Sequence, residues 1–130
     1  MRKLILIIVL LAVVIFISGC ISQKEKTEES SKLDAFAKCL TENGVKMYSS
    51  VFCKFCDRQK DMFGSSFRYV EEIECDPRGP NPQTQLCLQK DIPKTPTWIL
   101  ERNKVEIKRL VGLQSLETLS EFSGCPLEEK

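Results

Sequence analysis

Histidine is absent from this chain of 130 residues, and no charge sign is in clear excess. The lack of an imidazole excludes every mechanism that needs a histidine base and every metal site with a histidine ligand. Lys and Arg number 19 against 18 Asp and Glu, so the formal net charge is +1. Such a balance does not favour nucleic acid or another strongly anionic partner.

Cysteine, in contrast, is abundant, with seven residues in a chain of this length. That number indicates thiol chemistry or disulfide bonding. The length suits one small domain. Small domains in oxidising compartments commonly need disulfides, because their hydrophobic cores are small.

The first residues have the pattern of an export signal. Arg2 and Lys3 precede an unbroken apolar run from Leu4 to Ile17, which Ser18-Gly19 follows. As a helix this run rises about 21 Å, which is shorter than the hydrocarbon core of a bilayer. Residues 1–19 are therefore predicted to be a signal or lipoprotein leader or a membrane anchor.

The residues at the end of this run resemble a lipobox, the motif at which bacterial lipoproteins are cleaved and lipidated. The motif is Ile17-Ser18-Gly19-Cys20, and the resemblance implies lipidation of Cys20. An uncleaved anchor and a cleaved, released form are the alternatives. Residues 20–32 are polar and of mixed charge, which predicts a flexible tether. We expect the domain at the outer face of the cytoplasmic membrane.

The remaining domain, residues 33–130, alternates between helical and strand patterns, which is typical of the α/β class. The apolar residues Phe63 and Trp98 are predicted to lie in its core. The pairs Glu71-Glu72 and Lys108-Arg109 are predicted to be solvent-exposed. In chain order we expect a helix from Leu33 to Asn43-Gly44, a strand over Val45–Val51, a helix from Cys53 to Gly64, a strand over Tyr69–Cys75, a helix over Gln83–Lys90, a hairpin of Thr97–Glu101 and Val105–Leu110, and a last helix around Leu116–Phe122.

The motif Cys53-x-x-Cys56 carries the chemistry that this sequence predicts. It lies between a predicted strand and a predicted helix, a context typical of redox-active cysteines. Unpaired N–H groups and the positive end of the helix dipole favour the thiolate at Cys53, which is therefore the expected nucleophile. Lys54 adds positive charge, whereas Asp57 opposes it. Cys56, one turn into the helix, is the expected resolving thiol.

Two other interpretations of the motif stay open from the residues alone. Cys53 and Cys56 could form a purely structural disulfide, or they could bind zinc as four thiolates together with Cys75 and Cys87. A further motif, Thr95-Pro96, stands before a predicted strand about forty residues later. Its peptide bond is predicted to be cis, although the proline could simply end a loop.

Residues along the whole predicted domain resemble the thioredoxin superfamily. They are Leu40, Gly44, Tyr48, Phe52-Cys53-x-x-Cys56, Lys60, Phe63-Gly64, Cys75, Cys87 and Thr95-Pro96-Thr97-Trp98. More narrowly, they resemble the thioredoxin-like domain that is fused to or partnered with vitamin K epoxide reductase homologues. The resemblance covers about Ala35–Gly124 and implies a thioredoxin-like fold, a mixed sheet flanked by helices, with an added N-terminal helix.

The resemblance also implies an activity and its partners. The domain would pass the Cys53–Cys56 disulfide to exported proteins with Cys thiols. A membrane reductase of the vitamin K epoxide reductase type, linked to quinone and expected to be a separate chain, would reoxidise it. Pro96 would be cis and face the motif, Thr95 would contact the substrate, and Cys75 and Cys87 would form the second pair of the family. No cofactor, metal or nucleic acid is implied, and we expect a monomer.

The sequence also departs from thioredoxin, which leaves other functions open. Thioredoxin has Trp-Cys-Gly-Pro-Cys where this chain has Phe52-Cys53-Lys54-Phe55-Cys56, and its buried acid would fall at Met47. The dipeptide inside the motif also lacks the histidine of strong oxidants. A reductase for exported proteins or haem-attachment cysteines is therefore one alternative. A non-catalytic binding module held together by disulfides or zinc is another.

Four cysteines remain after Cys53 and Cys56, and they allow three complete pairings. These are 75–87 with 39–125, 39–75 with 87–125, and 39–87 with 75–125. The short loop between Cys75 and Cys87, rich in turn residues, favours the first. Pairing Cys39 with Cys125 would then join the opening helix to the closing one.

Overall fold

The structure is a computed structural model that describes residues 33–128. The predicted leader (1–19), the predicted tether (20–32) and Cys20 lie outside the described residues, and so do residues 129 and 130. Of the helices between residues 33 and 128, none combines the length and the apolar character that crossing a bilayer requires.

The order of helices and strands is the predicted one. Residues 33–42 are helical and are called α1 here. A 3₁₀ segment, Gly64–Tyr69, stands between the second helix and the second strand. The other elements are β1 (Val45–Ser49), α2 (Lys54–Phe63), β2 (Glu71–Glu74), α3 (Thr84–Gln89), β3 (Thr97–Arg102), β4 (Val105–Val111) and α4 (Leu116–Ser123).

The four strands form one mixed sheet in the order β2-β1-β3-β4. β1 runs parallel to β2, whereas β3 is antiparallel to both of its neighbours, β1 and β4. Helices flank this sheet, and α1 precedes it. The predicted fold class, a mixed sheet flanked by helices with an added N-terminal helix, is confirmed.

Two strand boundaries differ from the prediction by two residues, and the others agree within one residue. β1 ends at Ser49, because Val51 and Phe52 form a turn that leads into α2. β2 begins at Glu71, because the 3₁₀ segment occupies the preceding residues up to Tyr69. The apolar and aromatic residues that suggested longer strands lie in these connections instead.

The sheet divides the buried residues into two clusters, because successive side chains of a strand point to opposite faces. Met47 and Trp98 belong to the larger cluster, together with Phe36 and Phe63. The rings of Phe36 and Phe63 stack with centroids 6.0 Å apart. Tyr48 belongs to the smaller cluster on the other face. Trp98 and Phe63 are almost completely buried, which confirms them as core residues.

A disulfide between Cys39 and Cys125 joins the two ends of the described chain. It connects α1 to the residue after Gly124, across a sequence separation of 86 residues. Beside it, the Asn43 side-chain amide donates to the carbonyl oxygen of Ser123 at 3.1 Å. The Cys39–Cys125 and Cys75–Cys87 disulfides together are the first of the three pairings that the sequence allowed.

We expect removal of this disulfide to lower the free energy of unfolding more than removal of any other. In the chain-entropy model, a loop of this length corresponds to about 4–5 kcal/mol, whereas the loop between Cys75 and Cys87 corresponds to about 3 kcal/mol. Urea unfolding of two double variants, Cys39→Ser with Cys125→Ser and Cys75→Ser with Cys87→Ser, measures both losses. An equal or smaller loss for the first variant would contradict the long-range role of Cys39–Cys125.

Candidate active site

The CxxC motif lies at the N-terminus of α2, as predicted. Cys53 caps the helix, and its sulfur accepts a hydrogen bond from the Cys56 backbone N–H at 3.1 Å. The two cysteines form a disulfide. Cys53 is partly exposed, whereas Cys56 is fully buried. An external thiolate can therefore reach the sulfur of Cys53 but not that of Cys56.

The helix end stabilises negative charge on Cys53. Its sulfur lies at the positive end of the α2 dipole and accepts a backbone N–H, and both favour a thiolate. Lys54 begins the helix and adds positive charge near Cys53, whereas the negative charge of Asp57 in the first turn disfavours a thiolate there. With both of these side chains exposed, their charges are screened by solvent.

The Thr95–Pro96 segment lies against the motif. The peptide bond between these residues is cis, as predicted, and Pro96 is buried directly before β3. The carbonyl oxygen of Thr95 lies 3.3 Å from the sulfur of Cys53. A partly exposed stretch of backbone thus borders the disulfide, which is the arrangement that the predicted substrate contact of Thr95 requires. The contact itself stays a prediction.

The second cysteine pair holds a loop that reaches the motif. Cys75, directly after β2, is bonded to Cys87 in α3. In the loop between them, Arg78 donates to Asp76 at 2.8 Å, and this bond lowers the pKa of Asp76 to about 2. The guanidinium of Arg78 lies 4.3 Å from the centroid of the Phe52 ring. The loop therefore packs on the residue that precedes Cys53.

Comparison with known proteins shows that the chain is similar to a plant thiol-disulfide oxidoreductase. The chain is 34% identical over 99 residues to the thiol-disulfide oxidoreductase LTO1 of Arabidopsis thaliana. The aligned part covers 73% of this chain and 25% of that protein, so the chain spans about a quarter of the curated relative that it matches. No family model matches the chain.

Solved structures decide the fold. A mutant thioredoxin from Halobacterium salinarum superposes with a TM-score of 0.51 at 16% sequence identity. The superposition covers 72% of this chain and 84% of that one. The chain has the thioredoxin fold.

A buried glutamine that the sequence analysis missed connects α2 to the rest of the thioredoxin fold. Gln59 accepts hydrogen bonds from the Trp98 indole N–H at 3.3 Å and from the Gln114 backbone N–H at 2.9 Å. Its amide donates to the Gln114 carbonyl at 3.0 Å. The sequence signal was available, because Gln59 shares a helix face with Cys56 and Phe63 at spacings of three and four residues.

Met47 stands where thioredoxin has its buried acid, as the sequence suggested. Met47 is completely buried on β1 and lies opposite Trp98 on β3. It cannot exchange a proton, so no acid acts from this strand position. The nearby carboxylate of Glu72, whose residue pairs with Met47 in the β1–β2 register, forms an ion pair with Lys60 at 2.6 Å and also accepts from Ser49.

The prediction that two charged pairs are solvent-exposed is wrong for three of the four residues. Glu71, Glu72 and Arg109 are partly buried, and only Lys108 is exposed. Glu71 pairs with Lys46 at 3.1 Å and Arg109 pairs with Glu106 at 2.6 Å. The reason is that ion pairs hold these three side chains against the surface, Glu72 with Lys60 in the same way. Arg109 also donates to the carbonyl of Lys90, which directly follows α3.

The zinc alternative requires four thiolates in one cluster. In the structure, Cys53 and Cys56 form one disulfide, and Cys75 and Cys87 form another. A sulfur in a disulfide is not a thiolate ligand. The geometry therefore favours redox chemistry at the first pair and a structural role for the second.

Exposed apolar side chains surround Cys53. Phe52 and Phe55 are 65% and 57% exposed, and Val51 is 42% exposed. The helix face that carries Cys56 is buried, so these side chains point towards solvent beside the accessible sulfur. An apolar surface at this point can exclude water from the contact with a partner chain.

We expect Gln59→Leu to lower the free energy of unfolding by about 3 kcal/mol, because it leaves the Trp98 indole N–H and the Gln114 backbone N–H without an acceptor. Urea unfolding followed by Trp98 fluorescence measures the loss. The control is Gln85→Leu, an exposed position on α3, with an expected change within about 0.5 kcal/mol. Equal effects of the two variants would show that Gln59 does not tie α2 to the sheet.

Proposed function

We propose that this protein is a membrane-tethered thiol–disulfide oxidoreductase outside the cytoplasm, which donates its Cys53–Cys56 disulfide to exported proteins. The observation that carries the proposal is the disulfide at the N-terminus of α2, with one sulfur accessible and the other buried. The thioredoxin fold and the similarity to a thiol-disulfide oxidoreductase support it.

The reaction is a pair of thiol–disulfide exchanges. A substrate thiolate attacks Cys53, a substrate–Cys53 disulfide forms, and Cys56 leaves with the electron pair of the broken bond and takes up a proton. A second substrate thiolate then attacks the substrate sulfur of this mixed disulfide and releases Cys53. The substrate loses two electrons and gains a disulfide, and the CxxC pair becomes a dithiol.

Another oxidant must then remove these two electrons. We propose a membrane reductase of the vitamin K epoxide reductase type, a separate chain that passes them to a quinone. The sequence resemblance supports this partner, and the predicted lipidation of Cys20 or an anchor within residues 1–19 would hold the domain near it. The polar residues 20–32 would provide the reach.

The direction of electron flow separates this proposal from the reductase alternative. Met47 supplies no carboxylate for proton transfer during reduction of a substrate. The reduction potential of the CxxC pair decides between the two. A value well above the potential of about −270 mV typical of thioredoxin is expected for an oxidant, and a value near or below it would favour the reductase.

We expect different effects from serine substitution at the two cysteines of the motif. Cys53→Ser should lower oxidation of a reduced, unfolded protein by at least about 100-fold, because no accessible sulfur remains. Cys56→Ser should accumulate mixed disulfides through Cys53, because the buried partner thiol is gone. Non-reducing electrophoresis and mass spectrometry of the adducts measure both.

A matched control removes a disulfide outside the motif. Under conditions where urea unfolding shows it to be folded, the double variant Cys39→Ser with Cys125→Ser should retain turnover and form no long-lived mixed disulfide, because neither sulfur belongs to the CxxC pair. Full multiple-turnover activity of Cys56→Ser would refute the assigned roles. Metal content and thiol titration of the purified chain test the non-catalytic alternative, which predicts bound zinc or no turnover.

A further inference from the structure

The loop that the Cys75–Cys87 disulfide closes carries an arginine to the CxxC motif. The guanidinium of Arg78 lies 4.3 Å from the centroid of the Phe52 ring, well within the range of a cation–π contact. Phe52 directly precedes Cys53, and its side chain is 65% exposed. A segment distant in sequence therefore supports an exposed aromatic ring beside the reactive sulfur.

A nearly buried glutamate ties this loop to the chain that leads into the motif. The Oε1 atom of Glu74 accepts from the backbone N–H groups of Val51 at 3.3 Å and Asp76 at 2.7 Å. Val51 stands two residues before the motif, and Asp76 opens the loop. Gly79 packs so closely on the same side chain that a Cβ there would lie 2.5 Å from it. The loop and the entry to the motif are therefore held by one carboxylate.

Asp76 fixes the orientation of the arginine within this loop. The Nε atom of Arg78 donates to Oδ1 of Asp76 at 2.9 Å, and its Nη2 atom donates to Oδ2 at 2.8 Å. The backbone N–H of Arg78 also donates to Oδ1, at 3.0 Å. Two parallel bonds to one carboxylate define the plane of a guanidinium group as well as its position. Arg78 therefore meets the Phe52 ring in an orientation that the loop has already set.

The same ion pair decides what Arg78 can do for Cys53. A guanidinium group without a counter-ion would stabilise a nearby thiolate and lower the pKa of its thiol. Here the carboxylate of Asp76 offsets that charge. The hydrogen bond from Arg78 lowers the pKa of Asp76 to about 2, so the pair stays ionised around neutral pH. The effect that remains at the motif is the contact with the Phe52 ring, which restrains the ring.

We propose that Arg78 is a positioning residue for disulfide exchange, which holds the Phe52 ring beside Cys53 where a substrate chain packs on it. The inference rests on the proposed function and adds to it a residue outside the motif. A ring that is already fixed loses less conformational freedom when the substrate binds. Arg78 therefore acts on substrate binding and not on the reactivity of the sulfur. The Cys75–Cys87 disulfide supports exchange in the same way, because it closes the loop.

The test compares a dithiol peptide, with an apolar residue next to its reacting cysteine, with the small dithiol dithiothreitol. The peptide is long enough to pack on Phe52, whereas dithiothreitol needs only the sulfur of Cys53. The full, oxidised chain and its Arg78→Ala variant react with each. We expect the variant to lose about two- to fivefold in kcat/KM for the peptide, through KM, and to keep its rate constant for dithiothreitol. An equal loss with both reagents would overturn the positioning role.

Further variants assign the effect to the contact between the two side chains. In a Phe52→Leu chain, Arg78→Ala should cause no further loss, because the ring is gone; additive losses would overturn the contact. Arg78→Lys should recover part of the activity, since it keeps a cation for the ring but loses the paired bonds to Asp76. The matched control is Arg102→Ala, an exposed arginine at the end of β3, which should keep the full activity with the peptide.

The NMR resonances of the Phe52 ring separate this inference from the function on which it rests. In the oxidised chain without substrate, Arg78→Ala should shift these resonances and speed the motion of the ring. Unchanged resonances, in a chain that does oxidise the peptide, would overturn the positioning role alone. A ring that responds to Arg78→Ala, in a chain that oxidises no peptide, would overturn the proposed function and with it the substrate contact.

Discussion

The antiparallel pairing of β1 with β3 is the interaction on which the site depends. β1 leads into the CxxC motif and β3 follows Pro96, and Tyr48 lies opposite Thr97 in their register. Continued past the strand ends, this register brings the chain before Cys53 alongside the chain before Pro96. The 3.3 Å approach of the Thr95 oxygen to the Cys53 sulfur follows from it. Gln59 completes the arrangement, because it ties α2 to Trp98 on the same strand.

The order of the elements could be predicted from the sequence because each has a strong local signal. The apolar spacing around Phe36 and Leu40, the cysteines at a helix start and the proline before a strand act over a few residues. The start of β2 could not be predicted, because the aromatic residues of the preceding 3₁₀ segment are of the types that favour a strand. The burial of Glu72 could not be predicted either, because it depends on the contacts of β2 with Lys60 on α2 and Ser49 on β1.

The carboxylates of β2 occupy the region where the sequence lost an acid. Glu72 pairs in register with Met47, and Glu74 lies two residues further along the same face of β2. Neither replaces a buried acid on β1, because Glu72 is held by Lys60 and Glu74 by two backbone N–H groups.

Three disulfides in one small domain must respond differently to the same substrates. Exchange requires a thiolate to approach one sulfur along the sulfur–sulfur axis. Each of the three disulfides joins one buried cysteine to one partly exposed cysteine, so access alone does not decide which bond reacts. Cys53 differs because the helix end stabilises its thiolate as a leaving group, and exposed Val51, Phe52 and Phe55 offer a surface for the partner. The two structural disulfides therefore keep the fold while the third is reduced and reformed.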